Sequence, residues 1–587
     1  MADITMTSTP RPVQDTILLP RAACPEEVGI PSDAVREMIR AIDETGFRYH
    51  SVMILRGGKV AAECHRYPFS ARTPHILYSI SKSVTSVAVG LAIQEGIMTL
   101  DTTIAEVFPE YVPQENAEKF SRITVRHLLS MTAGIFPSYF ANKTKGEWIR
   151  QYAASKWYAD PGEEFKYINE NPYMLCSMIR RLTGQTVTEF LQPRLWDPLG
   201  IRTPYWETDE TGTESGGWGL FLTPEGFAKF MLMIHQGGVF NGKRILDEAY
   251  VREATSEQIS TRREPPEKTG YGYCFWLLND IEYQANGVFG QIGYARKDMD
   301  IAVVFTAGDM HSELVTEPVR ALCEKITETS LPAPEDPDAL RRELDALVLD
   351  KLPEATLRSS LEAEIGDKVL WFSKTLPANL LGFPPTVLPL MAVYMTKDRA
   401  GNMDRFQFRF FDDYALFQWR EGDEVCCVRL GMDGKYRASR VTLAGTRYTI
   451  YGAAFWEDEQ TLQVYIRPVE SVGIRYLTFR FRGKKVEVST RSDPALGEVL
   501  EDLRFTVDEM LHTRAGRSIG GKLFDTITKI VEPTMHGEVL DRAEPKLTEE
   551  AVADDFSVEE TLVDDIAPAE DEPMPVEPDA DEEPQTT

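Results

Sequence analysis

The sequence predicts an α+β fold, followed by an antiparallel β-barrel-like domain and a disordered acidic tail. Three observations support this order. In the first half, strand patterns stand at both ends and helical patterns lie between them. Further along, apolar residues alternate with polar ones, which is typical of half-buried strands. The last segment is acidic and proline-rich, and such a composition disfavours a packed core.

A chain of 587 residues is too long for one hydrophobic core, so several domains are expected. We predict six segments in chain order: a flexible N-terminus (1–19), an α+β domain (20–330), a linker (331–353), a β-rich domain (354–515), a connecting segment (516–546) and a disordered tail (547–587).

The α+β domain is predicted from its ends. Residues 51–56 and 59–63 flank Gly57-Gly58, which is a two-residue hairpin signal, and further strands are expected near Tyr283 and at 300–307. Helical patterns fill the space between these strands. We therefore expect an antiparallel sheet flanked by helices, beside an all-helical subdomain, with the active site in the cleft between them.

The β-rich domain is predicted from about eight to ten short strands with one apolar face. Residues 405–410 alternate most clearly, and segments 474–482 and 486–489 form another hairpin around Gly483. Aromatic residues such as Phe417, Trp419 and Tyr465 are interpreted as core. The expected architecture is a closed barrel or a strongly curved sheet.

The acidic tail carries 16 of the 29 net negative charges and has no Lys or Arg, which leaves a mildly acidic body. Nucleic-acid binding is disfavoured because phosphate contacts need clustered basic residues. No apolar run of membrane-spanning length and no secretion signal is visible, so no membrane span is expected.

Seven cysteines are scattered, and neither a Cys-x-x-Cys nor a His-Glu-x-x-His pattern occurs. We expect no metal and no cofactor. The thiols are interpreted as reduced core residues of a cytoplasmic protein, and adjacent Cys426 and Cys427 are expected to face opposite sides of a strand.

A Ser-x-x-Lys motif supplies a candidate nucleophile and a candidate base. Ser79 and Lys82 begin a strongly helical segment that stops at Gly96, and residues three apart share one helix face. Ser79 Oγ needs an adjacent base to become a nucleophile, and a buried lysine can act as that base. The free N–H groups at the helix start suit a developing negative charge.

Six separated segments resemble landmarks of the serine β-lactamase-like hydrolases, which include penicillin-binding proteins, class C β-lactamases, D-alanyl-D-alanine carboxypeptidases, esterases and 6-aminohexanoate-dimer hydrolases. They lie in the family order within residues 20–330, at 78–96, 123–134, 161–169, 198–201, 217–220 and 271–276. The resemblance implies that residues 20–330 form a serine hydrolase domain. Because some members append a lipocalin-like β-domain, it also suggests that fold for 354–515.

The resemblance assigns roles to four residues. It implies that Ser79 is the acylated nucleophile and that Tyr167 relays a proton between Ser79 and the leaving group. It implies that Lys82 holds this network and lowers the tyrosine pKa by its charge. Asn169 would bind Lys82 or the carbonyl side of the substrate.

A third family motif departs from the usual pattern. Relatives carry Lys-Thr-Gly or His-Thr-Gly opposite the nucleophile, and here the best match places Ala285 where the cation should be. Gly287 would let the substrate approach, the N–H of Val288 would be the second oxyanion donor, and Gly290-Gln291 resembles the aminohexanoate-dimer and esterase branches. Gln291 is thus a candidate substrate-site residue. A plain turn before a strand is the alternative for this segment.

Without the cation, a substrate carboxylate loses a charge-assisted partner, and Arg296 and Lys297 are the candidate replacements. The preferred function is a serine hydrolase that acts through an acyl-enzyme on small esters or amides. A catalytically weak binding or sensor protein stays open, as does a D-amino-acid peptidase or β-lactamase. The β-rich domain has three readings: packing alone, shaping of the substrate cleft, or binding of a lipid-like ligand. The expected partner is a small-molecule substrate, and no pattern indicates an oligomeric state.

Overall fold

The computed structural model describes residues 15–136, 148–202, 204–263, 268–353, 357–372, 403–422, 424–443, 446–495 and 532–543. Most of the predicted flexible N-terminus and the whole predicted acidic tail lie outside these ranges. The α+β prediction is confirmed for the first half of the chain, and the second half contains a β-barrel.

An antiparallel sheet of eight strands forms the centre of the first half. Its strand order is β2-β1-β13-β12-β11-β10-β9-β8, so strands from both ends of the domain lie side by side as predicted. The strands of this half are β1 (Tyr49–Arg56), β2 (Lys59–His65), β3 (His75–Ile76), β4 (Tyr205–Trp206), β5 (Leu220–Leu222), β6 (Val239–Phe240), β7 (Lys243–Arg244), β8 (Ile259–Ser260), β9 (Gly270–Tyr271), β10 (Trp276–Leu277), β11 (Glu282–Gly287), β12 (Gln291–Arg296) and β13 (Ile301–Ala307).

Local sequence explains the start of this sheet. Gly57 and Gly58 both have positive φ, at 61° and 72°, which is the backbone of the two-residue turn that joins β1 to β2. Side chains of β1 alternate between two clusters, because Met53 belongs to one hydrophobic core and Val52 to the other. Both faces of the sheet are therefore covered.

Helices cover the sheet and build the second part of the domain. Helices α2 and α10 pack on one face, α1 and α12 pack on the other, and α3 to α9 form the helical part around α7. The helices are α1 (Ser32–Thr45), α2 (Ile80–Gln94), α3 (Ile104–Val107), α4 (Ala117–Phe120), α5 (Val125–Leu129), α6 (Trp148–Ala153), α7 (Glu170–Thr183), α8 (Val187–Leu191), α9 (Asp197–Leu199), α10 (Pro224–His235), α11 (Glu248–Ala254), α12 (Thr316–Cys323), α13 (Ala339–Asp345) and α14 (Leu361–Ile365).

Two small sheets complete this half. The strands β3, β5 and β4 form a three-stranded sheet beside α2, and β6 pairs with β7. Short 3₁₀ segments lie at Pro25–Val28, Pro109–Tyr111 and Ser312–Val315, and a π-helical turn lies at Gln192–Trp196. No described helix is long and apolar enough to span a bilayer.

The β-rich part forms a closed barrel. Nine strands follow each other around a ring, which closes where Gly431 pairs with Ala453, and β18 pairs with β19 beside this closure. The strands are β14 (Lys368–Phe372), β15 (Met403–Phe410), β16 (Tyr414–Glu421), β17 (Glu424–Gly431), β18 (Arg437–Leu443), β19 (Thr446–Trp456), β20 (Thr461–Pro468), β21 (Ile474–Arg482), β22 (Lys485–Asp493) and β23 (Thr534–Ala543).

Strand β23 lies in the segment expected to connect the barrel with the tail, and it pairs with both β14 and β22. The inward side chains of the barrel meet in one hydrophobic cluster that includes Phe417 and Trp419, both at most 1% exposed. The prediction that Tyr465 is core is wrong, because it alternates with inward Val464 and Ile466 and is only half-buried. Cys426 belongs to this cluster and Cys427 to a different one, as the alternation predicts. All seven cysteines are free and buried.

Candidate active site

The nucleophile motif lies where the chain enters α2. Tyr78 has a left-handed φ of 45°, which is strained for a residue with a large side chain. Ser81 Oγ lies 2.6 Å from the Tyr78 carbonyl oxygen, to which it donates, and it accepts from the Leu220 N–H at 3.1 Å. The turn before the helix is therefore tied to β5, and half-buried Ser79 faces the cleft.

Lys82 is the centre of the polar network, and its side chain is 1% exposed. Its Nζ lies 2.9 Å from Ser79 Oγ, 2.7 Å from Asn169 Oδ1 and 2.6 Å from the Gly217 carbonyl oxygen. Ser79 and Lys82 converge as the helical spacing predicts. Asn169 comes from the N-terminus of α7, so the two parts of the domain meet at this amine.

The protonation of Lys82 follows from these contacts. Burial lowers the pKa of Lys82 from 10.5 to about 7. The oxygens of Asn169 and Gly217 only accept hydrogen bonds, so they hold two N–H groups of the amine. In the neutral form the remaining lone pair faces Ser79 Oγ, which is the arrangement that a general base needs.

Tyr167 lies beside Ser79 and Lys82. Its side chain is half-buried, it is near enough to Ser79 for the serine hydroxyl to affect the Tyr167 pKa, and Lys82 Nζ lies 4.7 Å from the centroid of its ring. Burial raises the pKa of Tyr167 well above its ordinary value. The expected lowering of this pKa by Lys82 is not found, because burial of the Tyr167 side chain dominates. Lys82 is the group of this pair that titrates near neutral pH.

Aromatic side chains line the Tyr167 side of the cleft. The ring centroid of Trp276 lies 5.2 Å from that of Tyr167, and Tyr271 packs edge-on against both rings at 6.2 and 4.8 Å. Phe165 packs against Trp276 at 5.8 Å. This surface is suited to an apolar acyl or leaving group.

Gly287 lies at the end of β11, directly beside the nucleophile turn. A Cβ atom at this position would lie 2.4 Å from the Leu77 carbonyl oxygen and 3.3 Å from the Ser79 nitrogen. Only glycine permits this approach, and it brings the peptide group before Val288 next to Ser79. The structure thus gathers Ser79, Gly287 and Val288 at one point.

The missing cation is not replaced from the next strand. Ala285 is fully buried in the hydrophobic core and pairs with Gly293. Arg296 binds Asp298 and pairs with Glu282, at the opposite end of the β11–β12 ladder from Gly287. Five residues of strand correspond to about 16 Å, so neither Arg296 nor its neighbour in sequence lies next to Ser79.

Gln291 lies behind the site. Its Nε2 donates to the carbonyl oxygens of Phe289 at 2.9 Å and Ala307 at 2.8 Å, and its Oε1 accepts from the Ala307 N–H at 3.3 Å. The side chain is fully buried. These contacts fix the turn between β11 and β12 to the end of β13.

Sequence reasoning missed two features of the site. The Gly217 carbonyl oxygen binds Lys82, and the Gly-Gly-Trp-Gly run at 216–219 was its only signal. Tyr78 precedes Ser79 and Phe289 follows Val288; both residues have positive φ, and their rings pack at 5.3 Å. Among the described residues, no group of three or more His, Cys, Asp or Glu side chains could hold a metal.

Comparison with known proteins identifies the family of this part of the chain. The family profile described as Beta-lactamase matches residues 35–322. This part of the chain belongs to the β-lactamase family. The match includes the nucleophile helix, the Asn169 segment and the β11–β12 turn, so the β-lactamase-family domain contains every candidate site residue named above.

Curated relatives match at modest identity. The 6-aminohexanoate-dimer hydrolase of Paenarthrobacter ureafaciens is 26% identical over 264 residues, which cover 40% of this chain and 66% of that protein. Protein flp of Staphylococcus aureus strain MW2 is 26% identical over 168 residues, which cover 26% of this chain and 33% of that protein. The chain therefore spans less than two thirds of the length of these relatives.

Solved structures also align with part of the chain. A putative 6-aminohexanoate-dimer hydrolase from Bacillus anthracis aligns with 17% identity and a TM-score of 0.41. The alignment covers 56% of this chain and 86% of that one.

Proposed function

We propose that this protein is a serine hydrolase that forms an acyl-enzyme on Ser79. The observation that carries the proposal is the position of Lys82 Nζ, which lies 2.9 Å from Ser79 Oγ. Its N–H groups donate to the carbonyl oxygens of the Asn169 side chain and of Gly217. A buried amine with a pKa of about 7 is present in its basic form in a large fraction of molecules at neutral pH.

Acylation begins when Ser79 Oγ attacks the substrate carbonyl carbon. The Oγ–C bond forms, the Oγ proton moves to Lys82 Nζ, and the π electron pair moves onto the carbonyl oxygen. The N–H groups of Ser79 and Val288 donate to this oxyanion. When the tetrahedral intermediate collapses, the bond to the leaving group breaks, and the proton reaches the leaving oxygen or nitrogen through the Tyr167 hydroxyl.

Deacylation follows the same route with water. Lys82 takes a proton from the attacking water, the acyl–Oγ bond breaks, and Ser79 regains its proton. The products are a carboxylic acid and the free enzyme. Asn169 holds Lys82 in place and directs its lone pair toward Ser79.

Small esters and linear amides are the proposed substrates. Ala285 provides no charge for a substrate carboxylate, and Arg296 lies at the far end of the strand pair, so the strong anchor of β-lactam and D-alanyl substrates has no counterpart there. The amide hydrolysed by the related 6-aminohexanoate-dimer hydrolase supports the same substrate class.

The test uses the purified chain, a short-chain p-nitrophenyl ester and a fluorophosphonate, beside Ser79→Ala. Intact-mass measurement should show one covalent adduct, and both adduct and turnover should disappear in the variant. Comparison with an aliphatic anilide and a β-lactam then ranks the substrate classes. If the wild type forms no adduct and turns over no faster than Ser79→Ala, the hydrolase proposal is wrong and a binding role for the cleft follows.

A further inference from the structure

A loop of the barrel lies against the nucleophile turn of the β-lactamase-family domain. Residues 469–473, called here the barrel loop, connect β20 and β21. The Glu470 carbonyl oxygen accepts a hydrogen bond from the Ile76 N–H at 3.0 Å. Ile76 lies three residues before Ser79, and the next amide, of Leu77, donates to Leu220 at 2.8 Å. The strand that leads to the nucleophile is therefore held from both domains.

The same loop contacts the support of the second oxyanion turn. The Val472 carbonyl oxygen approaches Gly308 so closely that a Cβ atom there would lie 2.1 Å from it. Gly308 follows Ala307, which Gln291 binds, and the next residue, Asp309, donates its N–H to the Phe289 carbonyl oxygen at 3.3 Å. The barrel loop thus touches the backbone behind both oxyanion donors.

The loop is itself firmly built. Both carboxylate oxygens of Glu470 accept from the Thr449 N–H, at 3.1 and 3.0 Å, and the Glu470 side chain is buried. The Val469 N–H donates to the Thr449 carbonyl oxygen at 3.1 Å. These bonds fix the loop to β19, so the loop moves with the barrel.

An ion cluster at the domain boundary sets the position of the barrel. Asp350 binds Arg48 at 2.8 Å and also binds the buried guanidinium of Arg467, which lies two residues before the loop. Arg48 also contacts Asp493 at 3.4 Å. The linker, the first domain and the barrel are therefore joined directly beside the loop.

We propose that the barrel loop is a positioning element for catalysis, which holds the amides of Ser79 and Val288 at the distance that oxyanion binding requires. This inference rests on the proposed function. It gives the barrel a role in the active site without any contact with substrate. The filled interior of the barrel agrees with a mechanical role better than with a lipid-like ligand inside it.

Gly308→Ala tests the contact from the side of the first domain. The new methyl group would push the Val472 carbonyl oxygen away and also press on His50 Nε2 at 3.0 Å. Since a misplacement of about 1 Å can cost roughly 100-fold in rate, we expect fluorophosphonate acylation to slow by roughly 10- to 100-fold, with a lower kcat and little change in KM for the ester. Gly537→Ala is the control, because it creates a similar backbone clash, 2.4 Å from the Trp371 carbonyl oxygen, at the far end of the barrel.

Glu470→Ala and Glu470→Gln form a matched pair on the barrel side. The alanine removes both acceptors for Thr449 and should loosen the loop, whereas the glutamine keeps one acceptor oxygen and the side-chain volume. We expect slow acylation in Glu470→Ala and nearly normal acylation in Glu470→Gln. Circular dichroism and thermal unfolding verify that both variants are folded.

Hydrogen exchange provides a readout that does not need activity. Peptides covering residues 75–82 and 287–291 should exchange faster in Gly308→Ala and Glu470→Ala than in the wild type, Gly537→Ala and Glu470→Gln. Folded variants with wild-type exchange and wild-type acylation would overturn the inference. If the wild type itself is not acylated, the proposed function fails, and hydrogen exchange alone then decides whether the loop supports this turn.

Discussion

Lys82 shows how a single buried amine can link two halves of a domain to one hydroxyl. Its two carbonyl partners come from the start of α7 and from the loop before β5, so neither part alone could orient the lone pair. Burial lowers the Lys82 pKa to about 7, and a charged amine in this place would donate to Ser79 and could not accept its proton.

The acylation rate should therefore rise with pH up to a plateau. Below pH 7 Lys82 is protonated, and acylation should fall roughly 10-fold for each pH unit; above pH 7 it should reach a plateau. The pH profile of fluorophosphonate labelling measures this midpoint. Tyr167→Phe should lower the plateau and leave the midpoint near 7, whereas a midpoint near 4 or near 10 would contradict Lys82 as the base.

Gly287 should tolerate no side chain. Gly287→Ala places a methyl group 2.4 Å from the Leu77 carbonyl oxygen, and we expect acylation to slow by roughly 100-fold as the two oxyanion turns separate. Gly293→Ala is the matched control on the neighbouring strand, since its methyl group meets the flexible Met231 side chain. Equal acylation rates of the two folded variants would refute this prediction.

The sequence predicts those parts of the site that consist of side-chain functional groups. The Ser-x-x-Lys spacing predicts Ser79 and Lys82, and the family resemblance adds Asn169. Gly217 contributes only a carbonyl oxygen, and the Tyr78–Phe289 contact depends on positive φ angles in residues that rarely have them. Such backbone features leave little trace in the sequence.

At the scale of elements, β23 has a larger role than its sequence suggests. It pairs with β14 and β22 and so completes the barrel, and its register with β14 shifts between Lys368 and Val369. The two strands are far apart along the chain, and Gly537 interrupts the alternation of β23. Pairing between distant segments with an irregular pattern is hard to infer from local periodicity. The sequence patterns predicted the eight strands from β15 to β22, and within β15–β17 and within β18–β22 each strand pairs with the next one along the chain.

Removal of β23 should open the barrel. A chain that ends after residue 531 exposes the edges of β14 and β22 and loses the packing of Met535 and Val539. We expect a lower thermal unfolding temperature and association on gel filtration. A chain that ends after residue 546 keeps every described strand and should behave as the full chain does; identical behaviour of both truncated chains would show that β23 is dispensable.

At the scale of the whole molecule, Asp350 joins three parts of the chain. Asp350→Asn leaves the buried Arg467 guanidinium without its carboxylate partner, and breaking such a pair costs about 3 kcal/mol. Calorimetry should show a lower transition temperature, with the barrel unfolding before the first domain. Asp541→Asn removes an exposed carboxylate that pairs with Lys368 and Lys484, and it should leave the transition unchanged. Similar transition temperatures for both variants would argue against the proposal that the ion cluster holds the barrel on the first domain.

The two-residue strand β3 also bears on the timing of synthesis. The Ile76 N–H donates to the carbonyl oxygen of Glu470. The ribosome synthesises Glu470 only after the whole β-lactamase-family domain, so this hydrogen bond cannot form before then. On the positioning proposal, a nascent chain carries every reactive group of the site long before the oxyanion turns are held in register. Ser79 would thus become fully reactive only when the barrel has folded, and it would react slowly with acylating compounds while the chain is still being translated.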